Sequence, residues 1–176
     1  MADKAVFFDR DGVFNEDHGY LYRIEDVIWV PGAKEAVAYL TKLGYKIFVV
    51  TNQSGIARGF YEPSDVDKLH AYMQGEFAKL GGHITKFYYC PHHPTKGVIA
   101  KYSGECQCRK PKPGMLLQAM SEYDLDKSKC FMVGDMPKDL EAAAGAGIHG
   151  YQFTAGNLLS FVQNIVEHKD CEQGGI

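Results

Sequence analysis

Short apolar runs alternate along this chain with longer stretches in which apolar residues return every three or four positions. The run Ala5–Phe8 reads as a buried strand. In "PGAKEAVAYLTKLG" (31–44), Ala33, Ala36, Val37, Leu40 and Leu43 fall on one helical face, with Pro31 at the start and Gly44 at the stop. "YKIFVVTN" (45–52) predicts a second strand. "SDVDKLHAYMQGEFAKLGG" (64–82) predicts a helix that buries Val66, Leu69, Met73, Phe77 and Leu80, and "ITKFYYC" (84–90) a third strand. Residues 90–112 show no regular period. After them come a helix in "PGMLLQAMSEYD" (113–124), a strand in "KCFMVGD" (129–135) and a helix in "DLEAAAGAGI" (139–148). A short fifth strand in "HGYQF" (149–153) and a closing helix in "GNLLSFVQNIVEH" (156–168) complete the pattern. The polar end, 171–176, is expected to fray, which leaves 1–170 as one domain.

Strands that alternate with helices imply a parallel sheet with helices on both faces, an α/β fold. Ligands of such sheets bind beyond the carboxyl ends of the strands. Here those ends carry chemistry. Strand one runs into Asp9 and Asp11, strand two into Thr51 and Asn52, and strand four into Gly134 and Asp135, while the irregular stretch ends in Arg109 and Lys110.

Composition narrows the field. The 176 residues are 45% hydrophobic and 23% charged, as in ordinary globular proteins, and enough to bury a core without disulfides. A net charge of −3 argues against a general nucleic-acid binder. No apolar run is long enough to span a bilayer, and the N-terminus lacks the pattern of an export signal, so a cytoplasmic protein is expected. No protein partner is legible, and a monomer is expected.

Three carboxylates at one sheet edge repel one another unless a cation lies among them. Mg²⁺ suits such a place, since it takes a few carboxylates, waters and substrate phosphate oxygens. Lys110 and the Thr51 hydroxyl would face the same point and supply the donors that a phosphate needs. Two carboxylates two positions apart can divide the labour, Asp9 as nucleophile and Asp11 as proton carrier. Alone, "DRDG" reads as a turn; the elements placed with it make it a phosphate site. Arg10 is expected to point away from both carboxylates. Asp139 reads either as a residue orienting the site or as a first-turn acid favoured by the helix dipole.

The ordered set "FFDRDGV", "VVTNQSG", "CRKPKPG" and "VGDMPKD" resembles the haloacid dehalogenase-like phosphatases. The stretches "DHGY", "TNQSGIARG" and "CPHHP" bring it nearest to the branch that acts on heptose bisphosphates, similar in turn to the histidinol-phosphate phosphatases. The resemblance spans Lys4 to about Phe153. It implies a three-layer Rossmann-like sheet and hydrolysis of a phosphomonoester through an aspartyl-phosphate on Asp9. It implies Mg²⁺ held by the Asp9 side chain, the Asp11 backbone carbonyl and Asp135. Thr51 and Lys110 would steady the phosphoryl group and Arg109 would recognise substrate. Asp17, His18, Gly19 and Tyr20 would line the pocket together with Thr51, Asn52, Gln53 and Ser54. One position departs: a Lys is often found in that branch where this chain has Met136, and the next cation is Lys138.

The five cysteines are unevenly placed. Cys90, Cys106 and Cys108, with a histidine at 92 or 93, make a possible closed tetrahedral zinc set; spacing does not choose the histidine, and the resemblance implies His92. Cys130 reads as a core residue and Cys171 as incidental. Such a clip would leave no open position for water, so its role would be structural: it would fix Arg109 and Lys110. Only one helix and a loop fit between Asp11 and Thr51, so no large cap domain is expected. The loop 15–29 and the zinc loop would cover the site. The expected substrate is a small phosphorylated sugar, the 7-phosphate of a heptose 1,7-bisphosphate. Histidinol phosphate or a broader sugar set is the alternative, and a non-catalytic zinc-containing binding module the reading of a different kind.

Overall fold

A computed structural model of the protein describes residues 2–174, with side chains through residue 169. The strands β1 (Asp3–Phe8), β2 (Lys46–Asn52), β3 (Lys86–Cys90), β4 (Leu125–Gly134) and β5 (His149–Gln152) form one parallel sheet in the order β3-β2-β1-β4-β5. The helices are α1 (Ala33–Lys42), α2 (Pro63–Ala78), α3 (Gly114–Glu122), α4 (Pro137–Gly145) and α5 (Leu158–Gly174). Short 3₁₀ turns at Ile24–Asp26 and Ala100–Tyr102 lie in the two stretches without a period.

The strands are buried on both faces, which is why they read as unbroken apolar runs. Alternate residues still go to opposite sides. Val6, Phe8, Ile47, Val49, Phe131 and Val133 face the layer that holds α1, α5 and the stripe Met73–Phe77 of α2. Ala5, Phe7, Phe48, Val50, Cys130 and Met132 face α3 and α4. Crossovers therefore run along one face from β1 to β3 and along the other from β3 to β5. The direction changes between β1 and β4, so the crevice at their carboxyl ends is the natural ligand site.

Several expected boundaries move for physical reasons. Leu43 and Leu80 were expected in the buried stripes, yet both are exposed, because α1 ends at Lys42 and α2 at Ala78. β4 begins earlier than expected: Leu125 pairs with Asp3, and β1 advances to Ala5 while β4 advances to Cys130. The intervening bulge is closed by Asp126, whose Oδ1 accepts from the backbone N–H and the hydroxyl of Ser128. The expected frayed end, 171–176, and Cys171 have side chains outside the described residues; the backbone of α5 is traced to Gly174. Among the described residues no helix is long and apolar enough to cross a membrane.

One buried polar group of α2 has no apolar excuse. His70 is nearly inaccessible, stacked on Phe87 at 4.4 Å, with Nε2 3.2 Å from an Arg10 nitrogen. Burial first, and then the Arg10 charge, hold its pKa well below the usual value near 6.5, so the ring is neutral in the fold. The unfolded chain binds a proton there that the folded chain refuses. Stability from this group is complete above the unfolded pKa and is lost as pH falls below about 6.5. We expect the unfolding free energy of the wild type, measured by urea titration, to fall more steeply between pH 7 and 5.5 than that of His70→Gln, by up to about 1.4 kcal/mol per pH unit.

Candidate active site

The carboxyl ends of β1 and β4 bring three carboxylates together: Asp9, Asp135 and Asp139 offer oxygens that all lie within 4.8 Å of one another. Asp9 follows β1 directly, and its Oδ1 accepts from the N–H of Arg10 at 2.8 Å. Asp139 stands in the first turn of α4, where its Oδ2 accepts from the N–H groups of Asp135 and Met136, both at 3.1 Å. It thus serves both expected purposes, as a helix-start acid and as an orienting group. Two glycines make the approach possible. A β-carbon on Gly12, whose φ is +83°, would lie 2.1 Å from Asp135 Oδ2, and one on Gly134 would lie 2.2 Å from the Asp139 β-carbon.

Lys110 reaches into this cluster from the far side. Its Nζ lies 3.0 Å from Asp9 Oδ1 and 2.7 Å from Asp139 Oδ1, and all three side chains are buried. Two carboxylate oxygens take up at most two of the three N–H donors of an ammonium, so Lys110 keeps donor capacity for a further oxygen. Burial opposes the Lys110 charge, yet Asp9 and Asp139 outweigh it and raise its pKa. The Asn52 side chain places the lysine: Nδ2 donates to the Lys110 carbonyl at 3.2 Å and Oδ1 accepts from its N–H at 3.0 Å. β2 and the irregular 91–113 stretch are joined there by a side chain that imitates a strand partner.

The same cluster has room for a cation in its charge balance. Burial raises the pKa of Asp9, and burial together with Asp9 and Asp139 pushes Asp135 up to about 7. Asp139 has both oxygens committed, whereas Asp9 and Asp135 do not. A hard divalent ion between Asp9 and Asp135 would relieve the repulsion, and the oxygen-only donor set suits Mg²⁺.

Asp11 is held apart from that cluster. Its Oδ1 accepts from Arg10 Nε and Asn15 Nδ2, both at 3.0 Å, and its Oδ2 from Arg10 at 3.3 Å and Gln53 Nε2 at 3.2 Å. Arg10 therefore does not point away from the carboxylates, as expected; it is wholly buried and turned onto Asp11. Gln53 also donates to Thr51 Oγ1 at 2.9 Å and accepts from the Tyr61 hydroxyl at 2.6 Å.

A cavity of about 330 Å³ opens over these groups. Asp9, Asp11, Asp17, Gly19, Tyr20, Asn52, Gln53, Ser54, Arg109, Lys110 and Asp135 line it, as does the unexpected Tyr61. Met136 and Lys138 line it too, so the cation two positions on from Met136 faces the same cavity. Thr51 is buried just behind the lining. His18 is the expected residue that lies apart: it is exposed, 3.2 Å from Glu16, on a neighbouring depression. The covering loop is closed at its base by the Asn15–Trp29 bridge and by Glu16 N–H donating to the Ile28 carbonyl at 2.8 Å.

Cys90, His92, Cys106 and Cys108 form a second group that could hold a metal ion. Cys90 and Cys106 sulfurs are 3.5 Å apart, Cys106 and Cys108 3.6 Å, and Cys108 lies 3.4 Å from His92 Nδ1. These lengths approach the edges of a tetrahedron around zinc, while the Cys90 and Cys108 sulfurs, 2.7 Å apart, are closer than such an edge. The structure also decides between the two histidines. His93 Nδ1 accepts from the N–H groups of Thr95 and Lys96, at 3.1 and 2.9 Å, whereas His92 Nδ1 faces the sulfurs. The hydrogen bond between Cys90 and Cys108 lowers Cys108 to about 5 and raises Cys90. Arg109, next to Cys108, donates to the His92 carbonyl at 3.3 Å.

Nothing in the apolar pattern pointed to Arg10, His70 or Tyr61 as members of this network. A charged residue between two strand-end carboxylates was the one available signal for Arg10.

Known proteins match this arrangement. The haloacid dehalogenase-like hydrolase family model matches residues 4–147. The D-glycero-beta-D-manno-heptose-1,7-bisphosphate 7-phosphatase of Vibrio cholerae is 47% identical over 148 residues, which cover 84% of this chain and 79% of that protein. The D-glycero-alpha-D-manno-heptose-1,7-bisphosphate 7-phosphatase of Campylobacter jejuni is also 47% identical over 148 residues, covering 84% of this chain and 80% of that one. Among solved structures, the D,D-heptose 1,7-bisphosphate phosphatase of B. bronchiseptica, complexed with magnesium and phosphate, superposes with a TM-score of 0.82 at 30% identity, over 94% of this chain and 99% of that one. With its strand-end aspartates, its buried lysine and a family match over most of its length, the chain belongs to the haloacid dehalogenase-like hydrolases.

Proposed function

We propose that the protein is a Mg²⁺-dependent phosphomonoesterase that removes the 7-phosphate of D-glycero-D-manno-heptose 1,7-bisphosphate. One observation carries the reaction: a buried ammonium with unspent donor capacity stands 3.0 Å from a strand-end carboxylate, at the edge of a polar cavity. That pairing presents a nucleophile and an anion-stabilising charge to one point. The names of the V. cholerae and C. jejuni relatives support the sugar, and they differ in the anomer.

An Asp9 oxygen attacks phosphorus while the bond from phosphorus to the sugar oxygen breaks. Asp11, once protonated on an oxygen that has released one of its four present donors, gives that proton to the departing oxygen. It then takes a proton from the water whose oxygen attacks the aspartyl-phosphate, releasing Asp9 and inorganic phosphate. Lys110 Nζ steadies the phosphoryl oxygens. So does the Thr51 hydroxyl, whose oxygen accepts from Gln53 and whose proton remains to donate. Bound by Asp9, Asp135 and the Asp11 carbonyl, Mg²⁺ supplies charge that offsets repulsion between nucleophile and substrate. Arg109 and Lys138 present positive charge to the rest of the substrate, and Asp17, Gly19 and Tyr20 offer its hydroxyls polar partners.

Cys90, His92, Cys106 and Cys108 would hold a zinc ion, which would fix the segment that delivers Arg109 and Lys110. Four protein ligands leave it no catalytic position. Free thiols kept for metal suit the cytoplasm, where we place the protein.

Asp9→Asn should lower kcat by at least about a thousandfold, by analogy with other lost nucleophiles, with the thermal midpoint little changed; near-normal turnover would refute Asp9 as nucleophile. In a phosphate-release assay, one of the two heptose 1,7-bisphosphate anomers should be preferred over histidinol phosphate, and the reverse order would reassign the substrate. A sample stripped by chelator and returned to excess Mg²⁺ should remain impaired until Zn²⁺ is added; full activity in a verified zinc-free sample would exclude the clip's role.

A further inference from the structure

Arg10 sits between the two aspartates of the site and has no access to substrate, being wholly buried. Its guanidinium is nevertheless engaged on every side. Nε donates to Asp11 Oδ1 at 3.0 Å, one terminal nitrogen donates to Asp11 Oδ2 at 3.3 Å and to the Leu21 carbonyl at 3.1 Å, and the other meets His70 Nε2 at 3.2 Å. Arginine nitrogens only donate, so His70 Nε2 is the lone-pair nitrogen of a neutral ring. Phe87 holds that ring flat, stacked at 4.4 Å.

An arginine is a costly way to fill a core, and an apolar side chain of similar volume usually serves packing as well or better. A guanidinium does offer something an apolar group cannot, a rigid planar fork that fixes the plane of a carboxylate. We propose that Arg10 is a positioning residue that sets Asp11 for proton delivery to the leaving oxygen. His70 fixes Arg10 from α2, and the Leu21 carbonyl ties the same guanidinium to the covering loop. This rests on Asp11 being the proton carrier.

The test compares a poor leaving group with a good one. A sugar alkoxide must be protonated as it departs, whereas p-nitrophenolate leaves unaided. kcat/KM reports only the steps through departure of the leaving group, so the later hydrolysis of the aspartyl-phosphate does not enter. Arg10→Lys keeps the charge and loses the fork. It should lower kcat/KM for the heptose bisphosphate by about a hundredfold, the lower range for general acid catalysis, and for p-nitrophenyl phosphate by far less. Equal losses on the two substrates would mark a merely structural role and overturn the proposal, as would no loss on either. If Arg10→Lys fails to fold, the His70 variants decide. His70→Leu should show the same selective loss in smaller degree and His70→Gln should recover it; an unselective loss, or none, overturns the proposal. Asp11→Asn separates the two readings. If it too fails to discriminate between the substrates, the assignment of Asp11 as proton carrier falls, and the role of Arg10 with it. If Asp11→Asn discriminates and the Arg10 and His70 variants do not, only the role of Arg10 falls.

Discussion

A buried lysine between two buried aspartates is the contact on which this molecule's function turns. Lys110, Asp9 and Asp139 come from three separate segments, and each would be costly to bury without the others. Their net charge together is negative, which leaves the edge of the sheet attractive to a metal ion. The geometry that makes the trio tolerable is therefore the geometry that makes the site receptive. Much of the surrounding structure serves to hold these three segments to one point. β1 and β4 bring Asp9 and α4 side by side, Gly12 and Gly134 remove the bulk that would keep them apart, and Asn52 fastens Lys110 from β2.

Around this centre the carboxylates receive different company. Asp9 faces an ammonium and its fellow acids, whereas Asp11 faces a guanidinium and two amides. The two residues that flank Arg10 thus live in distinct electrostatic surroundings, as the different duties proposed for them require. The cysteine cluster lies at the root of the segment that supplies the lysine, so a metal held there would bear on the cavity without facing it.

The layered fold was legible because its strands are short, apolar and bounded, and because the helices carry clean stripes. The convergence of strand ends followed from topology alone, which is why Asp9, Asp135 and Lys110 could be named before any coordinates. What periodicity could not show was where a long polar side chain turns once buried. Arg10 reads as a solvated neighbour of two acids, yet a pocket made by His70, Leu21 and Asp11 draws it inward. His70 lies within the apolar stripe of α2 and gave no sign of a polar partner from β1. Helix ends were misplaced at Leu43 and Leu80 because an apolar residue just past the last turn looks the same in sequence as one inside it. The choice of His92 over His93 needed the fold of the loop, since neighbouring histidines are equivalent until the backbone assigns one of them two N–H donors.

The loop over the cavity enters and leaves the fold at one spot, where Asn15 bridges Trp29. A segment closed at its base can change length with little entropic penalty, about 0.6 kcal/mol for each doubling. Its tip residues touch the cavity, while the charged groups sit just past strand ends, on the segment after β3 and at a helix start below it. Selection on this architecture can therefore reshape the tip, and with it what is recognised, so long as Leu21 still meets Arg10 at the root of the loop.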